Sequence, residues 1–481
     1  MTANNLWLSA ETASDRRDFA RAEQLYRQAL AVDDRHVPSL IGLSTVLTRK
    51  GAHRDAYTTT LQAHSLRPAE APLIYAIAQR LRYFNDYGRL IDCLAAPSFA
   101  NNAPEDIMAK ASVMLSSIGA HDAAVTLADK ALHRHRSNPA ALHVRGNYHL
   151  FRGELEQAEA CYEDSLRSDP TLFQNSLMLA GARTQTAESN HVERLGKQLL
   201  SARPQGAGEV YLGFALHKEL HDLGRHEESW QVLQRVCKAK RRQVQYALKD
   251  HADLVNMLTE ICVPGFLLRT SAVHQSSVPI FIVGMHRSGT TLLERMLAGH
   301  SQVGDAGETA AFHAQLEFAV NRAAPAGMDA AFARLVANAD FDAIARGYAG
   351  SAQWLSRGKP FFTEKLPQNF FNVGFIAKAI PQACFLHLVR DPMDTCFSNL
   401  RTMFSGAALY SYEQKELAGF FLLYQQMMRH WHTVLPGRVL DISYDQLVRD
   451  PAAMAERVAR HCGLDFEAGM LDIGRSGGTV A

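Results

Sequence analysis

PIFIVGMHRSGTTLLERMLAGH, residues 279–300, decides the fold of the second half of the chain. Ile280 to Val283 is a short apolar, β-branched run bounded by Pro279 and Gly284, which reads as a buried parallel strand. Gly284 to Gly289 forms a turn. Leu292, Leu293, Met296 and Leu297 then fall at helical spacing. Strand, glycine-bounded loop and helix make an anion-binding device. Amides at the helix start point at the anion, and the helix dipole favours negative charge there. The spacing Gly284-x4-Gly289 is that of a P-loop, but Thr290 stands where a nucleotide-hydrolysing loop has the lysine that reaches the β- and γ-phosphates. Arg287 stands inside the loop. Amides, hydroxyls and one arginine suit a donor with a single phosphate and a transferable group better than a triphosphate.

Working outward, 481 residues are enough for two to four domains. The apolar fraction is 47% and the net charge +1, so no global field draws the chain to nucleic acid or membrane. Cys93, Cys161, Cys237, Cys262, Cys384, Cys396 and Cys462 lie far apart, and none forms a C-x-x-C pair. Reduced thiols, a cytoplasmic location and neither disulfide frame nor zinc site are expected. M-T-A-N-N-L-W-L-S-A-E-T has no basic region followed by an apolar core, so no signal peptide is expected, and no run of about 18 apolar residues suggests a membrane span.

The first half repeats itself. Ala22, Tyr26 and Ala29 recur 34 residues later as Ala56, Thr60 and Ala63. The frame returns at Ala124, Ala128 and Ala131, again at Ala158, Tyr162 and Ser165, and at Val192, Gly196 and Leu199. Gly146 precedes Ala158 by 12 residues. Between Leu90 and Asn102 the frame lapses. A last helix pair is expected from Gly208 to about Lys240, with a basic run from Arg235 to Arg242 that reads as a solvated face or an acidic-peptide dock. A 34-residue period of paired helices resembles tetratricopeptide (TPR) repeats, whose concave face binds extended peptides. Thr270 to Val278 is polar and small and reads as a linker.

After that linker, strand and helix alternate. Strands are expected at Phe361 to Lys365, Ala383 to Pro392 and Arg438 to Tyr444, with helices at Ala310 to Phe318, Asp329 to Leu355, Met393 to Phe404, Tyr412 to Leu435 and Pro451 to Cys462. The alternation predicts a parallel sheet with helices on both faces and ligands at the carboxyl ends of its strands. The fold class is therefore α plus α/β. A TPR-like solenoid is expected over 1–269, a linker over 270–278 and a P-loop-like parallel-sheet domain over 279–481.

The loop G-x-x-R-S-G-T-T resembles the 5'-phosphosulfate loop of sulfotransferases, which use 3'-phosphoadenosine 5'-phosphosulfate (PAPS). The resemblance implies that Arg287, Ser288, Gly289, Thr290 and Thr291 hold the phosphosulfate. Glu308, in D-A-G-E-T, is similar to the general base of tyrosylprotein sulfotransferases and of bacterial TPR-linked sulfotransferases. Lys365, in T-E-K-L-P, matches the lysine that stabilises the departing phosphate. Arg390 at a strand end and Ser398 eight residues on match the family's 3'-phosphate site, and Tyr444 matches a tyrosine beside the nucleotide. A sulfuryl group carries less charge than a phosphoryl group, so no metal is expected.

Two histidine pairs are set aside as metal ligands. His430 and His432 fall on different helix faces, as do His133 and His135. Asp391 could pass for a Walker-B aspartate, but no P-loop lysine accompanies it.

Three departures qualify the resemblance. His286 replaces a proline, Ala310 replaces an arginine near the base, and related enzymes continue past G-R-S-G-G-T-V-A with a segment that completes the nucleotide site, so the end here is expected to be either truncated or built differently. The expected acceptor is a hydroxyl on a peptide, protein or saccharide, with a protein partner on the TPR face, no nucleic acid, and a homodimer as one assembly. The alternative function is a TPR adaptor whose nucleotide domain binds without catalysis. A P-loop kinase is a third reading, disfavoured by Thr290.

Overall fold

The computed structural model describes residues 1–325 and 327–472. The segment G-R-S-G-G-T-V-A, residues 474–481, lies outside them. The chain divides into two compact units, Met1–Arg145 with Ala310–Gly327, and Gly146–Thr309 with the described residues from Met328 on.

The first unit is built of antiparallel helix pairs, beginning with Ala3–Asp15 and Phe19–Val32, then Val37–Arg49 and His53–Ser65. The turn inside each pair contains one residue with left-handed backbone: Arg17, Gly51, Asn85 and Gly119, each 34 residues after the last. The second unit continues the series at Gly153. The repeat therefore does not lapse at Leu90, because the turn at Asn85 keeps register. What changes is length: the Tyr87–Ala95 helix stops early and a short Pro97–Asn102 helix follows.

Close packing inside the repeats follows size complementarity. Tyr162 lies on Gly146, where a β-carbon would come within 2.5 Å of the ring. At the equivalent places of an earlier repeat, Ser44 bonds Thr60 at 2.7 Å and fills the same space with two hydroxyls.

Ala311–Val320, although next in sequence to the expected base, belongs to the first unit. Arg54 donates from Nε to the Phe318 carbonyl (2.7 Å) and from its backbone N–H to Asn321 Oδ1 (2.7 Å). Tyr57 meets Phe318 edge to face at 6.1 Å.

The second unit contains a five-stranded parallel sheet: β1 Val278–Gly284, β2 Val303–Asp305, β3 Phe361–Lys365, β4 Cys384–Val389 and β5 Val439–Ser443. The order is β2-β3-β1-β4-β5. Along β1, Ile280 and Ile282 face a cluster with Leu293, Met296, Leu386 and Met454. Phe281 faces the other way, stacks on Phe385 at 5.9 Å and meets Tyr348 at 6.1 Å. Both faces are thus covered, as an all-parallel sheet requires.

One expectation is corrected here, and one strand carries no sequence signal. The stretch 329–355 is two helices, Ala330–Val336 and Phe341–Leu355, because Asp340 accepts from the backbone of Asp342 and Ala343 and starts the second. The edge strand β2 is too short, at three residues, to carry a periodic signal.

Thr270 to Ser277 has no regular structure, yet it is bonded to the sheet region. Ser271 N–H donates to the Lys378 carbonyl (2.8 Å) and Gln275 Nε2 to that of Ala345 (3.0 Å). Helices Ala207–Asp222, His226–Arg241 and Leu248–Ile261 belong to the same unit as the sheet. Within the basic run, Arg235 pairs with Glu209 at 2.9 Å and Arg241 with Glu416 at 2.6 Å, so these two arginines tie helices together.

Candidate active site

β1 hands the chain to a loop shaped by two glycines. At Gly284 (φ +154°) a β-carbon would lie 2.9 Å from the Leu388 carbonyl oxygen. At Gly289 (φ +104°) it would lie 2.5 Å from the Tyr444 ring. Arg287 between them is also left-handed, at φ 63°. The Thr290–Ala298 helix begins directly after, so its free amides face the loop. The Ser288 hydroxyl donates to the Met285 carbonyl (2.8 Å) and closes the turn.

β4 brings the second group of residues. Arg390 follows the strand directly, and Asp391 caps the Pro392–Leu400 helix by accepting from Met393 (2.8 Å) and Asp394 (3.0 Å). Asp391 is thus a helix cap. Arg287 Nε reaches Ser398 Oγ at 3.5 Å, and Arg390 Nη1 reaches the Arg287 carbonyl at 3.4 Å. Arg390 lies over the Tyr444 ring, 4.6 Å from its centroid, and its buried Nε has no hydrogen-bond partner among the described residues. An unpaired buried donor costs free energy, which an anion would recover. Burial, and then the charges of Arg401 and Arg390, hold the Arg287 guanidinium below its ordinary pKa. This concentration of positive charge suits a polyanionic nucleotide.

Glu308 and Lys365 meet at the ends of β2 and β3. The Lys365 backbone N–H donates to the Gly307 carbonyl (3.0 Å), which draws the two loops together. Lys365 Nζ lies 2.6 Å from Glu308 Oε1 and 3.8 Å from Glu294 Oε2. Lys365 is buried and Glu308 exposed.

The structure adds to this site two residues that sequence reasoning missed, Glu294 and Arg401, and gives a partner to His286. Glu294 is buried beneath β3, where burial pushes its carboxyl up to about 7 against the pull of Lys365. His286 bonds Tyr410 OH through Nδ1 at 2.9 Å, and burial pushes it down to about 4. Arg401 Nη1 lies 3.2 Å from His221 Nε2. Glu294 sits in the sequence between Leu293 and Arg295 like any solvated helix residue, and only the sheet buries it. His286 was legible as a departure in the loop, but its partner lies 124 residues away.

Residues 279–468 match the model of the sulfotransferase family. An uncharacterized protein of Aquifex aeolicus is 26% identical over 329 residues, which is 66% of this chain and 43% of that protein. The omega-hydroxy-beta-dihydromenaquinone-9 sulfotransferase Stf3 of Mycobacterium tuberculosis is 28% identical over 112 residues, 21% of this chain and 29% of that protein. The chain spans less than half the length of these curated relatives. Among solved structures, the sulfotransferase domain from the curacin biosynthetic pathway aligns with a TM-score of 0.31 at 18% identity, covering 43% of this chain and 82% of that one. YrrB, a TPR protein with an unusual peptide-binding site, aligns with a TM-score of 0.29 at 17% identity, covering 34% of this chain and 84% of that one.

Proposed function

We propose, from the sulfotransferase-family match over residues 279–468, that this chain moves a sulfuryl group from PAPS to a hydroxyl acceptor on a peptide, protein or saccharide. The observation that carries the reading is the loop from Gly284 to Thr291, with Arg390 and Ser398 converging on Arg287 beside it. Arg287, Ser288, Gly289, Thr290 and Thr291 would hold the 5'-phosphosulfate. Arg390 and Ser398 would hold the 3'-phosphate, and Tyr444 supports Arg390 from below. Glu308 takes the acceptor proton, and Lys365 stabilises charge on the departing phosphate.

The 2.6 Å ion pair gives these two roles an order. Before the donor binds, Lys365 neutralises Glu308. A phosphate drawing Lys365 away leaves Glu308 free to accept a proton. Sulfuryl transfer otherwise needs in-line positioning, which two rigid strand ends supply.

Acceptor selection is assigned to the repeat region, 1–269, whose helix pairs suit an extended chain. A reducing, cytoplasmic setting is part of this reading, resting on seven widely spaced cysteines without a C-x-x-C pair. Among the described residues no helix is long and apolar enough to cross a membrane.

Calorimetry with PAP, the desulfated donor product, and with ATP tests the donor. PAP should bind and ATP much more weakly, and Arg390→Ala should remove roughly 1.5–3 kcal/mol of PAP affinity. Equal affinity for both nucleotides overturns the assignment. Glu308→Gln should keep PAP affinity and slow transfer by about 10²–10⁴. Native transfer by that variant would return Glu308 to a structural loop carboxylate, and no transfer by the wild type would favour the adaptor reading.

A further inference from the structure

His387, His432 and Asp441 form a cluster that the sulfuryl-transfer reading does not use. His387 and Asp441 are direct register partners on β4 and β5, so their side chains leave the same face of the sheet. The Gln414–Val434 helix crosses that face and supplies His432. His387 Nδ1 lies 2.7 Å from Asp441 Oδ1, and His432 Nε2 lies 2.9 Å from the same oxygen. One ligand atom from each of the three residues falls within 4.8 Å of the others. His430 turns the other way, to the Cys262 carbonyl at 3.1 Å. The sequence could not show that His432 would find ligands 45 residues before it and nine after it.

We propose that His387, His432 and Asp441 form a mononuclear site for a divalent transition metal, zinc by its donor set. Two imidazoles and one carboxylate are a three-ligand zinc set that leaves a fourth position open. The support behind His387 is that of a metal ligand. Its Nε2 contacts the Tyr424 hydroxyl, on the same helix as His432, and a proton at Nε2 leaves the Nδ1 lone pair facing Asp441. Neutral His432 likewise needs its proton at Nδ1 to present Nε2. Metal entry therefore needs a tautomer choice at each ring and a spreading of each nitrogen from Asp441 Oδ1 by about 0.5 Å, to separations that bonds near 2.0–2.1 Å require. Space is available, since the cluster lines a cavity of about 250 Å³ that also reaches Arg390 and Ser288. His387 is 5% exposed, whereas Asp441 and His432 keep open faces, which gives the ion a path in. The bound ion would pin the long helix to β4 and β5, two strands whose ends carry Arg390 and Tyr444.

The test uses the full chain, stripped with EDTA and titrated with Zn²⁺ by calorimetry, with Co²⁺ absorption as a reporter of coordination. One Zn²⁺ per chain is expected in the wild type and in the control His430→Asn, and zinc should raise Tm in both. Asp441→Asn and the half-exposed His432→Asn should each weaken that binding at least tenfold and abolish the shift in Tm. Tyr424→Phe should weaken it about tenfold, because its partner ring loses orientation. Undiminished zinc binding in both Asp441→Asn and His432→Asn, or no stoichiometric binding in the wild type, overturns the proposal and leaves a hydrogen-bonded bridge. PAP affinity, measured alongside, reports separately on the donor site.

Discussion

Glu294 carries an acid-form preference into the core of the site. Its carboxyl is buried, with Thr363 Oγ1 donating to it at 3.4 Å and Lys365 at 3.8 Å as its nearest cation. Desolvation outweighs that cation, and the pKa rises from 4.5 to about 7. A carboxyl raised in this way binds a proton more tightly folded than unfolded. Its stabilising contribution is complete below the unfolded value of 4.5 and is lost as pH climbs through 7. Glu294→Gln keeps the shape and cannot ionise. The variant should therefore gain on the wild type between pH 5 and pH 8, by an amount on the order of 3 kcal/mol. Thermal unfolding of both proteins across that range measures the difference. Glu317, also raised to about 7, is present in both and cancels. A difference that does not change with pH would mean that Glu294 is ionised in the folded chain throughout.

At the scale of the element, the loop after β1 is where backbone shape and chemistry coincide. Gly289 does two things at once: it takes φ +104°, and it lets the Tyr444 ring approach. Gly51 takes φ +80° in a repeat turn, with nothing within 4 Å of its missing side chain. Gly289→Ala should thus cost backbone strain of about 1–3 kcal/mol and also displace Tyr444 from beneath Arg390. Gly51→Ala should cost strain alone. PAP calorimetry separates them: affinity should fall at least tenfold for Gly289→Ala and stay unchanged for Gly51→Ala. Native affinity in Gly289→Ala would remove the loop from the donor site.

For the whole molecule, the polar stretch before β1 invites a cut that the packing forbids. Leu248 lies against Gly419, where a β-carbon would be 2.3 Å from it, and Cys262 lies against Gly374, where a β-carbon would be 2.7 Å from its sulfur. Arg241 pairs with Glu416, and Lys378 Nζ donates to the Phe266 carbonyl at 2.7 Å. A fragment of residues 279–481 loses all of these and exposes the apolar face of the long 414–434 helix. It should fail to fold, whereas residues 139–481 should keep a cooperative transition and near-native PAP affinity. Circular dichroism and calorimetry on the two fragments decide this. If 279–481 folds and binds PAP as the full chain does, the preceding helices are not part of its structure. If 279–481 fails to fold as expected, the longer fragment is the one that shows whether the first repeats select the acceptor, through a rise in acceptor KM when they are removed.

Local order was legible in the sequence because it rests on neighbours. The 34-residue spacing, the strand–loop–helix at 279–300 and the later strands depend on periodicity and on glycine positions. The structure returns them with small shifts at the ends. The regularity of the third repeat was hidden because Asn85 can take a left-handed turn that sequence reasoning assigns first to glycine. The tertiary structure alone decided which distant groups meet. Lys365 finds Glu308 because two parallel strands share a register, and Glu294 becomes a buried acid because β3 covers it. Ala311–Val320 leaves the sheet's own unit because Arg54 and Tyr57 hold it. Burial and long-range pairing depend on how strands are ordered, and strand order is set by the packing of the whole unit.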